Sequence, residues 1–346
     1  MLLFMRLCLV FCLGTLISSL SPLDQAQARE ITDMAGRQVS VPDHIKKVYS
    51  LSHPVSFLLY AFAPERLVGL NFPIREQDKP FLPKALIDLP VFGAVMGHGA
   101  AMNPEEILGL HPDVLLVWLD RFSDNDKIIQ QYGKVGLPIV FVKADGIEDY
   151  PETLRFLGQI MDKKERAEQL ASYIEDVLKR VEIAVAKVPE GGKRRVYYAE
   201  SRDGLATDCD RSFHTIAIRL AGGDNIHHCE QSTHGGMEAI GIEDIIARKP
   251  ELIIAQSRDF ALGAPTNPVW REVEAVREGR VYIVPRIPFN WIDRPPSFMQ
   301  GLGIQWLANL FYPDLYPFDI KAETKNFYRL FLNVDLNDAD LTQILQ

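Results

Sequence analysis

Short runs of aliphatic and β-branched residues alternate along the chain with stretches whose apolar positions recur every three or four residues. The runs are Val48–Leu51, Leu67–Leu70, Val114–Trp118, Ile139–Val142, Val196–Ala199, Leu252–Ala255 and Val281–Val284. Strand-like runs separated by helical stretches predict α/β layers with parallel sheets. One helical pattern is much longer than the rest and reaches from Lys163 to Val188. Ala167, Leu170, Ile174, Leu178, Val181 and Val185 form a single apolar stripe along it. Glu175 with Lys179, and Asp176 with Arg180, are placed for ion pairs on its wet side. At ~1.5 Å per residue this helix spans roughly 39 Å, about the dimension of a domain. Pro189-Glu190-Gly191-Gly192 stops it.

An internal repeat lies on either side of that helix. Glu105-Glu106-Ile107-Leu108-Gly109-Leu110-His111-Pro112-Asp113-Val114-Leu115-Leu116-Val117 matches Glu243-Asp244-Ile245-Ile246-Ala247-Arg248-Lys249-Pro250-Glu251-Leu252-Ile253-Ile254-Ala255 without a gap. Each copy reads as a short acid-headed helix, a turn with proline, and a buried strand. Copies so far apart cannot be stacked solenoid units. They predict equivalent elements of two similar lobes with central, mainly parallel sheets, joined by one long α-helix. The expected boundaries are a leader over 1–28, an N-terminal lobe over 29–162, the connecting helix over 163–190 and a C-terminal lobe over 191–346.

The leader is read from Arg6, the apolar run Leu7 to Leu20 and the closing Ala26-Gln27-Ala28. This is the layout of a cleavable secretory signal, and the run falls short of the ~20 apolar residues of a spanning helix. The expected location is therefore the periplasm, with no membrane span after cleavage. A net charge of −9 and the lack of any Lys/Arg block argue against nucleic acid as a partner. No G-x-G-x-x-G follows an early strand, and no P-loop, H-E-x-x-H or G-x-S-x-G occurs. Cys209 and Cys229 remain after cleavage. A disulfide closing a loop of about 20 residues would be worth roughly 3 kcal/mol. Free thiols are a second reading, and metal ligation with the adjoining His227 and His228 is a third.

Local motifs point to a family. Ile31-Thr32-Asp33-Met34-Ala35-Gly36-Arg37 with Val41-Pro42, Met102-Asn103-Pro104-Glu105 with His111-Pro112-Asp113, Leu220-Ala221-Gly222-Gly223-Asp224-Asn225, and Arg294-Pro295-Pro296-Ser297 with Trp306-Leu307-Ala308 occur in that order. Together they resemble the helical-backbone class of periplasmic binding proteins, in its iron-complex branch, which serves ABC importers of siderophores, haem, cobalamin and metals. The resemblance implies a monomeric carrier, not an enzyme, with no intrinsic cofactor. Its partners would be a small-molecule ligand and an ABC permease with its ATPase. It also implies that Glu105 and Glu243, the heads of the two repeats, pair with permease arginines.

In such a fold the cleft is lined by loops at the carboxyl ends of strands and by helix N-termini, which favour anions. His53, His98 and His214 map to such loops and are the candidate metal ligands, since neutral imidazole suits borderline metals. Arg202 and Arg294 can fork onto carboxylates or oxyanions, and Tyr198, Phe289 and Trp291 can stack on a planar chelate. A bare divalent ion needs about four converging ligands, and no acid is evident to complete three histidines. The expected ligand is thus a metal chelate: a ferric siderophore, a cobalamin-like molecule, or a nickel or iron complex. An oxyanion such as molybdate or tungstate, or haem, is the alternative for the same carrier. A metal-dependent enzyme resembling a tetrapyrrole chelatase is the alternative of another class.

Overall fold

The computed structural model describes residues 28–94, 103–231 and 233–345. Residues 1–27 of the expected leader and His98 lie outside these residues, whereas Ala28 is described. Strands β1 (Ala28–Thr32) and β2 (Gln38–Pro42) open the described chain as an antiparallel hairpin. Its turn explains the Thr32-Asp33…Gly36-Arg37 motif. The Asp33 carboxylate accepts from the Ala35 and Arg37 amides and from the Arg37 guanidinium. Gly36 takes a φ of +80° that a side chain would resist.

Strands β3 (Val48–Ser50), β4 (Val114–Trp118) and β5 (Ile139–Val142) form a parallel sheet in the order β3-β4-β5, buried throughout. Continuous apolar runs are what a sheet covered on both faces requires. In the second half follow β6 (Arg194–Ala199), β7 (Ala206–Thr207), β8 (Gly223–Asn225), β9 (Glu238–Ala239), β10 (Leu252–Ala255) and β11 (Val281–Ile283). Four of them build a second parallel sheet, ordered β11-β10-β6-β8, while β7 and β9 pair antiparallel. The run Leu67–Leu70 does not become a strand. Leu67 bridges to Val48 and Leu70 to Val91, so the segment leaves one neighbour for another before a ladder can form.

The repeat is one device used twice. The helices Pro104–Leu110 and Ile242–Arg248 each bury a single residue, Ile107 or Ile245. Each ends on a left-handed residue, His111 at φ 50° or Lys249 at φ 49°. The acid after the following proline then ties the turn to the neighbouring strand. Asp113 accepts from the Lys46 and Lys47 amides at 2.6 and 2.8 Å, and Glu251 accepts from the Arg195 amide at 2.9 Å.

The long helix runs over Lys164–Val185 and buries Ala167, Leu170, Ala171, Ile174, Val177, Val181 and Ala184. It packs against the helix Tyr150–Ile160 before it and the helix Gln300–Phe311 of the second half. Its charges are used differently from the i,i+4 expectation. Arg155, on the preceding helix, donates to both Glu168 and Glu175, because one guanidinium fork can serve two carboxylates. The main core runs through both halves, from Val48 and Val114 to Leu252, Phe298 and Phe331.

Gly303, inside the helix Gln300–Phe311, shows how tightly that core closes over the loop after β11. Helix propensity favours alanine there by about 1 kcal/mol, yet a Cβ would run into the Trp291 carbonyl. Overpacking against fixed backbone costs roughly 1–3 kcal/mol or more, so the clash wins. Gly303→Ala is expected to lower the urea unfolding midpoint; a raised midpoint would show that the contact is loose.

Candidate functional site

Both parallel sheets end their strands toward one region, and ligands of open α/β sheets bind outside the carboxyl ends of strands. From the first half, β3 leads into Leu51–His53 and β4 into Leu119–Phe122. From the second half, β6 leads into Glu200–Arg202, β10 into Gln256–Arg258 and β11 into Val284–Arg294. A cavity of about 480 Å³ opens at the second set. It is lined by Glu200, Arg202, Gln256, Arg258, Arg286 and Arg294, among others.

Arg294 is the centre of this wall. Its Nε donates to Glu200 at 2.6 Å, its Nη1 to the Gly235 carbonyl at 2.8 Å, and its Nη2 to Asp208. Asp293 lies 3.4 Å from its Nε. The residue is held at φ +74°, a left-handed conformation a non-glycine residue takes only when its surroundings enforce it. His214 completes the cluster, its Nδ1 at 2.5 Å from Asp293 and its Nε2 at 3.0 Å from the His234 carbonyl. Burial favours the neutral His214 ring, but the Asp293 carboxylate outweighs it and holds the proton more firmly than usual. Burial pushes the Glu200 carboxyl up to about 9, with Asp208 adding to the shift and Arg294 opposing it. Glu200 therefore keeps its proton near neutral pH, and Arg294 and His214 stand against the Asp208 and Asp293 carboxyl groups.

This arrangement corrects several sequence expectations. His214 cannot serve as a free metal ligand, because both ring nitrogens are engaged. Of the expected triad, His98 lies outside the described residues, and His214 is engaged with Asp293 and the His234 carbonyl. Tyr198 is fully buried and accepts from Gln256, whose own side-chain oxygen accepts from Asn290, so it orders the wall and does not face the ligand space. Trp291 is also fully buried. Phe289 packs on Phe57 at 4.4 Å and so joins the two halves. Arg202 is exposed and pairs with Asp259 at 2.6 Å.

His53 opens the helix His53–Phe62 and leans on Phe72 at 5.1 Å. Burial holds its imidazole down at about 4, which leaves it neutral near neutral pH. Across the cleft, Asp120 faces His234 at 3.1 Å. Burial alone would raise the Asp120 carboxyl, but His234, the Phe122 amide and the Ser123 hydroxyl outweigh it and hold it down. Trp118 meets Phe213 at 5.5 Å on the same seam.

Sequence reasoning missed Arg258, Arg286, Gln256, Asp208 and Asp293. The first three each lie within three residues of a strand end, a positional signal that was available. Cys209 and Cys229 form a disulfide.

The state of Glu200 has a testable sign. A carboxyl with its folded pKa raised keeps a proton that the unfolded chain has lost, so stability falls as pH rises from about 4.3 toward 9. Glu200→Gln mimics the protonated form. Its stability, followed by thermal melting across this window, is expected to fall less steeply than that of the parent and to be no lower at pH 8. A marked loss at pH 8 would mean that Glu200 is ionised.

Comparison with known proteins agrees with this geometry. A model of the family described as periplasmic binding protein matches residues 75–288. An ABC transporter solute binding protein from Sulfurospirillum deleyianum is 38% identical in sequence, with a TM-score of 0.86, covering 91% of this chain and 98% of that one. The molybdate-binding protein of Haemophilus influenzae is 22% identical over 343 residues, covering 92% of this chain and 95% of its own. With its paired parallel sheets, long joining helix and matched segment, the chain belongs to the periplasmic binding protein family, the solute-binding components of ABC importers.

Proposed function

We propose that the protein captures an anionic metal chelate in the cleft and hands it to its permease without turnover. The observation that carries this reading is the gathering of Arg202, Arg258, Arg286 and Arg294 around one cavity. Arg202 and Arg294 have carboxyl partners, whereas Arg286 donates to the backbone carbonyl of Gln256 at 3.2 Å. With Glu200 protonated, the wall favours negative charge. Its volume lies within the ~300–1,000 Å³ usual for small-molecule sites, which suits a chelate of organic size. In the first half, the neutral His53 lies against the Phe72 ring, one imidazole donor beside a flat apolar surface. The buried acids Asp208 and Asp293 are committed to Arg294 and His214, which supports holding a ligand over transforming it.

A free oxyanion is the second reading, favoured by the near full-length likeness to a molybdate-binding protein. Native mass spectrometry of the protein from its own periplasm, with elemental analysis, separates the two. A chelate adds organic mass together with a metal. Molybdenum or tungsten without organic mass would favour the oxyanion.

Delivery is assigned to Glu105 and Glu243. Each is exposed in the first turn of an equivalent helix, one per repeat, as two matching permease pockets would require. Reversing both charges, Glu105→Lys with Glu243→Lys, is expected to abolish uptake and leave ligand affinity unchanged. A fall in affinity would contradict the docking role.

A further inference from the structure

Away from the arginine wall, four donors of metal-binding type converge beside the β7–β9 pair. One ligand atom each from Cys209, His227, Cys229 and Glu238 lies within 4.8 Å of the others. Both His227 ring nitrogens are shielded from solvent and lack a hydrogen-bond partner, although Glu238 approaches Nε2 at 3.8 Å. An imidazole that is part-buried with both nitrogens shielded and unsatisfied is costly and calls for a physical reason. We propose that these four residues form a thiolate–imidazole–carboxylate site for a zinc-class divalent ion, opened when the disulfide is reduced. The proposal is independent of what occupies the cleft.

The chemistry balances with a dithiol donor of the thioredoxin type. Two electrons and two protons pass to the Cys209–Cys229 bond, the sulfurs separate as thiols, and the donor becomes a disulfide. The ion then displaces both thiol protons, and sulfur and nitrogen donors with one carboxylate oxygen match a tetrahedral zinc site. In the oxidised chain the same sulfurs have no charge to offer, so the cluster lacks half its donors.

The surrounding backbone does not depend on the disulfide for its place. Thr207 pairs with Glu238 in the β7–β9 ladder. The Cys229 amide donates to the Asp210 carboxylate at 2.9 Å, and the Asp210 amide donates to the His227 carbonyl at 2.9 Å. Asn225 donates through its side chain to the Asp208 carbonyl at 2.8 Å. These bonds keep the four side chains together once the sulfur–sulfur bond is opened, which lowers the ordering cost of binding an ion.

The test titrates Co²⁺, a spectroscopic stand-in for zinc, into the full protein before and after reduction with a water-soluble phosphine. Thiolate-to-cobalt charge transfer distinguishes this site from any cobalt in the cleft, which has no cysteine. The expected result is one cobalt per chain, with that absorption and tetrahedral visible bands, in the reduced protein alone. Cys209→Ser with Cys229→Ser should lose the absorption. His227→Ala and Glu238→Gln should keep the fold by circular dichroism and weaken binding by roughly tenfold or more. The proposal is overturned if the reduced chain, folded or not, takes up no thiolate-bound cobalt. It is equally overturned if the oxidised chain gives the same spectrum, or if His227→Ala and Glu238→Gln bind as tightly as the parent.

Discussion

A guanidinium largely withdrawn from water must have its charge matched and its donors filled, and the second half of the chain is arranged around meeting that need for Arg294. Its partners come from four separate places: Glu200 after β6, Asp208 after β7, Gly235 before β9, and Asp293 beside it. Removing one partner from such a buried set costs about 3–5 kcal/mol, since the remaining charges are left exposed to each other in a poor dielectric. The loops after the strands are therefore fixed relative to one another, not free to wander as surface loops do. His214 adds a second basic group against Asp293, and Glu200 gives up its charge to burial. The arginines that face the cavity stand on this fixed base.

The repeat supplies the larger frame. Two helix–turn–strand units, each with one buried isoleucine, a left-handed turn residue and an acid anchoring the next strand, bring two parallel sheets to the same kind of carboxyl edge. The long helix Lys164–Val185 and the shared core then hold the edges near each other, with Phe289 on Phe57 and Asp120 against His234 crossing the seam. A two-lobed carrier follows from these parts. So does the placement of one exposed acid on each lobe, at positions the repeat makes equivalent.

Periodicity and repetition made most of this frame legible before any coordinates. Six of the seven apolar runs became strands of the two sheets. Of the stripe from Ala167 to Val185, the residues Ala167, Leu170, Ile174 and Val181 lie on the buried face of the long helix, with Leu178 and Val185 partly buried. The run Leu67–Leu70 failed because pairing, not propensity, decides whether a strand forms. The site was less legible. His214, Tyr198 and Trp291 are residue types that often touch ligands, but burial and hydrogen bonding commit them to the wall itself. Their partners Asp208 and Asp293 carry no local pattern, because a long-range ion network is written across many segments at once. Arg258 and Arg286 could have been found by position alone, each standing just beyond a strand end.

The most direct test of the account is to locate the bound metal by anomalous diffraction from crystals grown with the native ligand. The account predicts a single strong peak in the cleft, at the cavity lined by Arg258, Arg286 and Arg294. A peak outside this cleft, or a ligand seated there without contact to the arginines, would contradict it.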